Sequence, residues 1–535
     1  MADTKREIER KYEATPGARL PDLAKVPGVS DVVGRGVVEL DAVYYDTADL
    51  RLAADGITLR RRVGGADEGW HLKFPVATGI RDEIRAPLED RLPRSLAGLI
   101  RSRIRDAAVT PVVRLRSSRD VSHLVDEPGG PLAEVSVDTV SAERLTDGGG
   151  TATWTEIEVE LADDGDPALL DAVDKRLRKA GVEPSASASK LARALAETEP
   201  GAQEPAAAAG AAAAPDDTAG KAPKAAGAAK AVRDRGARLK EKHAGEYVLA
   251  YLREQRDAIV ALDPAVRRDL PDAVHQMRVA TRRMRSAFRT FRKIIDRDVT
   301  DPFGDELKWL AGELGVARDQ EVLAERLRAR IDAVPKELRL GPVRGRLRIW
   351  ANAHRAGARR RSIAVLDSRR YLALLDALDT LLDDPPLLKA ARRAPHDALP
   401  EAVIRDYERL AGRVEHALDL PAGHDRDLAL HDARKAAKRA RYAGEATTPA
   451  LGKPARKFAK RMKAVQTLLG DHQDSVVARD TLRDLAVQAH AAGESAFTWG
   501  LAFGHEQALA AQRERELPAV WEKASRPGLR VRLAA

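Results

Sequence analysis

The sequence predicts a multidomain α+β protein: an N-terminal eight-stranded antiparallel β-barrel, a disordered Ala/Pro/Gly linker and a C-terminal all-α part built on a duplicated unit. Three observations lead there. Charged and apolar residues alternate with period two through most of the first 165 residues. The composition then collapses to Ala, Pro, Gly and a few charges over 198–232. From 233 onward, long amphipathic stretches with helical spacing take over, and a block of sequence recurs.

Strands are expected near Lys5–Glu13, Val37–Asp46, Ile57–Val63, Gly69–Phe74, Arg81–Ala86, Val112–Ser118, Ala133–Val140 and Thr153–Leu161, several of them separated by Gly, Pro and Asp clusters. Pro93–Asp106 and Pro167–Ala180 read as helices. Alternation puts Glu7, Glu9 and Lys11 on one strand face and Ile8 on the other. Arg60 pairs with Arg62 in the same way, His71 with Lys73, Arg81 with Glu83 and Arg85, and Arg114 with Arg116. Glu134 shares a face with Asp138, and Glu156, Glu158 and Glu160 stand opposite Ile157, Val159 and Leu161. An ordinary sandwich also gives charged-out, apolar-in strands. The density of same-face charge on most strands favours a closed barrel whose lumen, lined by both signs, holds a polyanion with its metal ions.

The linker has no hydrophobic periodicity that could bury a face, so it divides two modules. Their charges differ. Residues 1–200 carry 29 Lys and Arg against 36 Asp and Glu, whereas 201–535 carry 62 against 46. The second module therefore suits an acidic partner. There is no cysteine, which excludes disulfides, thiolate metal sites and thiol catalysis. No apolar h-region opens the chain and no apolar run of membrane-spanning length occurs, so the reading is cytoplasmic, with no membrane partner.

Helix breaks are expected near Asp263-Pro264, Pro302, Pro335, Gly341-Pro342, Pro385-Pro386, Pro421 and Pro449, leaving helices long enough for bundles. The repeat runs through them. From His275, basic residues follow as Arg278, Arg282, Arg283 and Arg285; from His431 they follow as Arg434, Lys438, Arg439 and Arg441. Downstream, Leu314-Gly315 to Arg318-Asp319 recurs as Leu469-Gly470 to Gln473-Asp474, in register with the first block. At helical spacing each basic set forms one stripe. A solvated basic face would need carboxylates nearby, and none lies between Met277 and Ile295. A duplicated stripe instead suits phosphate, whose oxygens match Arg forks. Stacking aromatics are sparse, with Phe288 and Phe291 at core-like spacing, so nucleic acid is disfavoured against a base-less polyanion.

This repeat resembles the CHAD domain over about residues 235–520. The resemblance implies two pseudo-symmetric four-helix bundles with a basic groove for inorganic polyphosphate. Its binding residues would be the two stripes named above, with Arg318 in the first copy and Gln473 at that position in the second.

The N-terminal motifs form an ordered set: Glu7-x-Glu9-x-Lys11, Tyr45-Asp46-Thr47, Leu59-Arg60-Arg61-Arg62, Leu72-Lys73, Arg114 with Arg116, Glu156-x-Glu158-x-Glu160 and Ser189-Lys190. The set resembles the CYTH domains, or triphosphate tunnel metalloenzymes, across residues 1–197. That implies an eight-stranded tunnel that binds triphosphate and works with Mg²⁺ or Mn²⁺. Glu7, Glu9, Glu156 and Glu158 would be the hard oxygen ligands, with Asp138 and Glu160 as further candidates. Lys11, Arg60, Arg62, Lys73, Arg114, Arg116 and Lys190 would neutralise phosphate oxygens, and Lys73 and Glu9 are the catalytic candidates. His71 reads as structural.

No Walker A sequence, kinase set, His-Glu-x-x-His or Gly-x-Ser-x-Gly occurs, and Gly34-Arg35-Gly36 is too short to count as a phosphate loop. The leading expectation is metal-dependent hydrolysis of inorganic triphosphate or short polyphosphate, tethered to a polyphosphate-binding module, with polyphosphate granules as one cytoplasmic location. Three rivals stand beside it: a binding scaffold without turnover, an enzyme for an organic triphosphate such as thiamine triphosphate or a nucleotide cyclase, and a nucleic-acid binder. An aromatic content of 4% argues against a base- or thiazole-holding wall.

Overall fold

A computed structural model describes residues 3–146, 148–199, 243–355 and 357–534, without the side chains of 3, 316–318, 354, 355, 358 and 534. The expected linker therefore lies outside the described residues from position 200 on, as does the Arg318 side chain. The described chain forms two compact units, one on each side of that stretch.

The first unit is built from β1 (Asp3–Ala14), β2 (Asp31–Asp46), β3 (Thr58–Val63), β4 (Gly69–Ala77), β5 (Ile80–Ala86), β6 (Thr110–Val125), β7 (Pro131–Arg144) and β8 (Thr151–Leu161). They close into an antiparallel barrel in the order β1-β5-β4-β3-β2-β6-β7-β8, with β8 returning to β1. All eight expected strands are present. The largest differences are β6, which continues to Val125 rather than ending at Ser118, and β2, which begins six residues earlier.

Alternation sorts the barrel wall. Odd positions of β1 face in, while Ile8 and Tyr12 face out to a core with Ile157, Val159 and Leu161 of β8. Over that core lies α3 (Pro167–Lys179), which contributes Leu170, Val173 and Leu177. On the other side, Leu59, Trp70, Leu72 and Ile84 turn out from β3–β5 against the short α1 (Arg51–Ala54) and against α2 (Arg94–Ile104). Each such buried side chain contributes about 2 kcal/mol, so the strand faces cannot exchange roles.

One end of the barrel is filled. The last helix of the unit, α4 (Lys190–Glu197), starts at Ser189, whose hydroxyl accepts from Ala192 N at 3.1 Å. It inserts Leu191 and Ala194 among the inward Ala42, Tyr44, Leu115, Val140, Ala142 and Trp154. Thr198, expected in the linker, is instead buried just past α4, donating to Ala194 O at 2.6 Å.

The second unit is helical: α5 (Ala244–Arg267), α6 (Ala273–Thr290), α7 (Arg297–Glu313), α8 (Gly315–Ala333), α9 (Val343–Arg355), α10 (Ala358–Leu366), α11 (Arg369–Asp383), α12 (Pro395–Asp419), α13 (His424–Leu451), α14 (Lys453–Ala491), α15 (Phe497–Ser525) and α16 (Pro527–Ala534). Pro335, Gly341-Pro342, Pro385-Pro386 and Pro421 fall between helices as expected. Pro264, Pro302 and Pro449 do not: each lies inside a helix within two turns of its end, where it costs one intrahelical hydrogen bond without ending the helix. The actual break after α5 uses Asp269 and Asp272, both with positive φ.

A large core gathers α5–α7 and α10–α13 with the first half of α14. A smaller four-helix core holds Leu327 and Ile331 of α8, Val343 and Leu347 of α9, Leu482 and Leu485 of α14, and Trp499 of α15. The fully buried Glu506 of α15 clasps this end by accepting from Arg326 and Arg330 of α8, at 2.7 Å each.

Candidate active site

Inside the barrel is a cavity of about 400 Å³ whose walls carry Glu7, Glu9, Lys11, Arg60, Arg62, Lys73, Glu158, Glu160 and Lys190 from the expected set. Asp138 and Glu156 lie buried at its closed end. There the carboxylates of Asp138, Glu156 and Glu158 offer oxygens within 4.8 Å of one another. Lys190, the first residue of α4, sends its ammonium among them: Nζ is 2.9 Å from Asp138 Oδ2, 2.7 Å from Glu156 Oε1 and 2.7 Å from Glu158 Oε1. The Trp154 indole N–H donates to the other Glu156 oxygen at 2.7 Å.

Next along the lumen, Lys11 contacts Glu158 and lies 3.4 Å from Glu9. Lys73 Nζ is 2.6 Å from Glu7 and 3.4 Å from Glu83. Arg60 reaches the Tyr44 hydroxyl at 3.4 Å and Glu83 at 3.9 Å. Glu160 stands apart from the buried trio, paired with Lys5 at 2.6 Å and more exposed.

Two expected phosphate ligands lie elsewhere. Arg114 and Arg116 project from the outer face of β6, where Arg114 forks Asp41 of β2 and the Arg116 side chain is 55% exposed. The inward cations of β6 are different ones. Arg119, missed because the strand was ended at Ser118, binds Asp138 at 2.7 Å and Glu158 at 2.6 Å from within the cavity. Arg81 also lines the cavity, with its Nε 3.9 Å from Glu9. His71 tethers the β3–β4 turn, bridging Glu83 and the Asp67 carbonyl at 2.8 Å each.

These groups perturb one another. Burial pushes the Glu7 carboxyl up to about 7, against Lys73 and with help from Glu83 and Glu160. Glu9 is buried too, yet Lys11, Lys73 and Arg81 hold it below the usual carboxylate range. Despite burial, Lys11, Lys190 and Arg119 hold Glu158 well below it as well. Burial and the neighbouring Arg60 bring Arg62 down to about 10.

Whether a divalent cation fits can be judged from the donors. They are carboxylate oxygens, the ligands Mg²⁺ and Mn²⁺ prefer. Glu156 Oε1 is buried with no hydrogen bond, only the Lys190 ion contact. Glu7 carries an acid strain that a cation would relieve. The residues fit such an ion.

In the helical unit the repeat has a mechanical meaning. Arg278 lies across Gly315 and forks Asp319 at 2.8 and 3.0 Å, so a Cβ at Gly315 would stand 2.7 Å from the guanidinium. Arg434 repeats this over Gly470 toward Asp474, at 3.7 Å. His275 and His431 occupy matching positions one turn before these arginines, and burial with the nearby Lys435 pulls His431 below the usual histidine range.

The rest of the stripe divides. Arg283 and Arg441 share Glu445 at 3.0 and 2.6 Å and flank the Tyr442 ring. Arg282, Arg285, Lys438 and Arg439 line a cleft of about 540 Å³, together with Arg289, Arg409, Arg413 and Lys435, which the repeat did not reveal. Crowding shows: burial, Arg434 and Arg282 bring Lys438 down to about 7. A second His/carboxylate group joins His472 to Asp427 and Glu514 at 3.3 Å each. The buried His472 Nδ1 has no hydrogen-bond partner among the described residues, so the proton belongs on Nε2, shared between the two carboxylates of a helix clasp.

A closed, charge-lined antiparallel barrel joined in sequence to a helical unit with a duplicated arginine clamp defines a two-module protein with two separate anion-suited clefts. Residues 5–195 match the CYTH domain family model and residues 250–483 match the CHAD domain model. The chain belongs to the CYTH–CHAD proteins.

Over 535 aligned residues it is 37% identical to the uncharacterized protein MT2285 of Mycobacterium tuberculosis (strain CDC 1551 / Oshkosh), covering 97% of this chain and 96% of the relative. Among solved structures it is similar to PptA from Streptomyces chartreusis, at 20% identity and a TM-score of 0.45, covering 52% of this chain and 99% of that one. It is also similar to the CHAD domain from the plant Ricinus communis, at 27% identity and a TM-score of 0.41, covering 55% and 93%. Among the described residues no helix is long and apolar enough to cross a membrane.

Proposed function

We propose that the barrel hydrolyses inorganic triphosphate or short linear polyphosphate with Mg²⁺ or Mn²⁺, and that the helical unit binds polyphosphate in its basic cleft. The observation that carries this is the inner wall itself, where lysines and arginines alternate with buried carboxylates and, among the described residues, Tyr44 is the single aromatic lining the cavity. Such a wall suits phosphoryl oxygens and offers no stacking platform for a base or thiazole.

Glu7, Glu9, Asp138, Glu156 and Glu158 would hold the cation, which when bound supplies charge neutralisation and orients water for in-line attack. The chain's own cations do the remaining work. Lys11, Arg60 and Arg119 bind and align the phosphate chain. Lys73, released from Glu7, stabilises charge on the departing phosphate. Glu9, held ionised, accepts a proton from the attacking water. Arg62 serves the open end.

A second reading is binding without turnover. It is favoured by Lys190, whose ammonium already neutralises the acidic trio. A substrate panel on the full-length chain separates the readings: inorganic triphosphate, thiamine triphosphate and ATP, each with Mg²⁺ and Mn²⁺. Metal-dependent phosphate release from inorganic triphosphate above the organic substrates supports the enzyme. Tight binding of triphosphate with no release supports the scaffold.

A further inference from the structure

The short Gly34-Arg35-Gly36 stretch has a structural role of its own. In the β2–β6 ladder, Gly34 pairs with Ser122 and Gly36 with Val121, so Arg35 has no partner opposite it. This is a β-bulge, and Gly36 supplies the positive φ of 88° that it needs. The extra residue reverses the strand's parity. Inward positions on β2 are the even ones at Val38, Leu40 and Tyr44, yet Arg35 also lines the cavity. Without the bulge, period two would turn Arg35 outward.

Its charge is uncommitted. Every other lysine and arginine lining the cavity is ion-paired with a carboxylate. Among the described residues Arg35 alone is not, and its one hydrogen bond runs from Nε to His123 Nδ1 at 3.2 Å. A nitrogen that accepts from a guanidinium carries no proton, so that contact brings no negative charge. Arg35 also lies farther from the closed end than the other β2 positions. Val38 is level with Arg119, and Arg35 falls between the levels of Val121 and Ser122, roughly 8 Å farther along β6.

We propose that Arg35 is a length-selecting subsite of the tunnel. It takes the phosphoryl group of a linear chain that extends past the phosphates held by Lys11, Lys73 and Arg119, and so favours four or more phosphates over three. This rests on the triphosphatase reading given above.

The test compares inorganic triphosphate with linear inorganic tetraphosphate on the full-length chain and its Arg35→Gln and Arg35→Lys variants, with Mg²⁺. Arg35→Gln is expected to raise KM for tetraphosphate about tenfold at unchanged kcat, to leave triphosphate kinetics as they were, and to be partly rescued by Arg35→Lys. Equal changes on both substrates, or none, overturn the subsite. If the wild type releases phosphate from neither, the catalytic reading fails, and equilibrium binding of tetraphosphate to wild type and Arg35→Gln decides the subsite. The helical unit contributes equally to both proteins, so weaker binding by the variant sustains the subsite and equal binding overturns it.

Discussion

The Lys190 ammonium stands 2.7 Å from Glu156 Oε1 at the closed end of the barrel, where a divalent cation would be expected. Asp138 and Glu158 complete its surroundings, and their charges hold the Lys190 amine well above the usual lysine range even though burial opposes it. Lys190 opens α4, so the helix that fills the barrel also delivers the counter-charge.

Replacing Lys190 by Met leaves three buried carboxylates without that cation. Thermal or denaturant unfolding is expected to show a loss of about 3 kcal/mol. Added Mg²⁺ or Mn²⁺ is expected to restore part of it. An unchanged midpoint, or no recovery with metal, contradicts this picture of the closed end.

Arg119 and Arg116 test the assignment of faces. Arg119→Gln removes contacts to Asp138 and Glu158 within the cavity and is expected to lower triphosphate kcat/KM about 100-fold. Arg116→Gln touches the outer surface and is expected to stay within about twofold, as exposed ion pairs contribute little. Steady-state phosphate release measures both.

Lys438 carries a pH dependence. Burial, Arg434 and Arg282 lower its amine to about 7 from the ordinary 10.5, so between those values the unfolded chain binds more protons than the folded one. Stability from this group therefore rises with pH across that window and is smallest below about 7. Polyphosphate bound in the proposed cleft is expected to restore the charge. Calorimetry at pH 8 in buffers of different ionisation heat is expected to show proton uptake that is absent in Lys438→Met. Equal uptake in both proteins contradicts the assignment.

The Arg278 clamp is a packing device as much as a charge. Gly315→Ala places a Cβ against its guanidinium, whereas Gly470→Ala meets Arg434 at 3.6 Å, an ordinary contact. Denaturant unfolding is expected to show the first variant losing about 1–2 kcal/mol more than the second. Equal losses contradict the comparison.

The strands and their inward charges were legible because period two sorts side chains without regard to tertiary contacts. Alternation alone put Glu7, Glu9 and Lys11 on one face, and the density of same-face charge across the strands turned that face inward. Arg114 and Arg116 were misplaced because alternation tells which residues share a face, never which face is inside. The answer lay in Val121 and Arg119, beyond the expected strand end. Arg35 was missed because it precedes the expected strand start at Val37, and the bulge there interrupts the period that would have extended the strand. In the helices, the repeat exposed Arg278 and Arg434 together with their glycines. Arg409 and Arg413 come from α12, outside the repeat, and only packing brings them to the cleft.

The central claim is most directly tested by orthophosphate release from inorganic triphosphate, measured on the full-length chain with Mg²⁺ or Mn²⁺ from pH 6 to 10, beside Glu9→Gln. The expected result is metal-dependent release that falls by about 100-fold in the variant. No release with either metal, or release that Glu9→Gln leaves untouched, would contradict it.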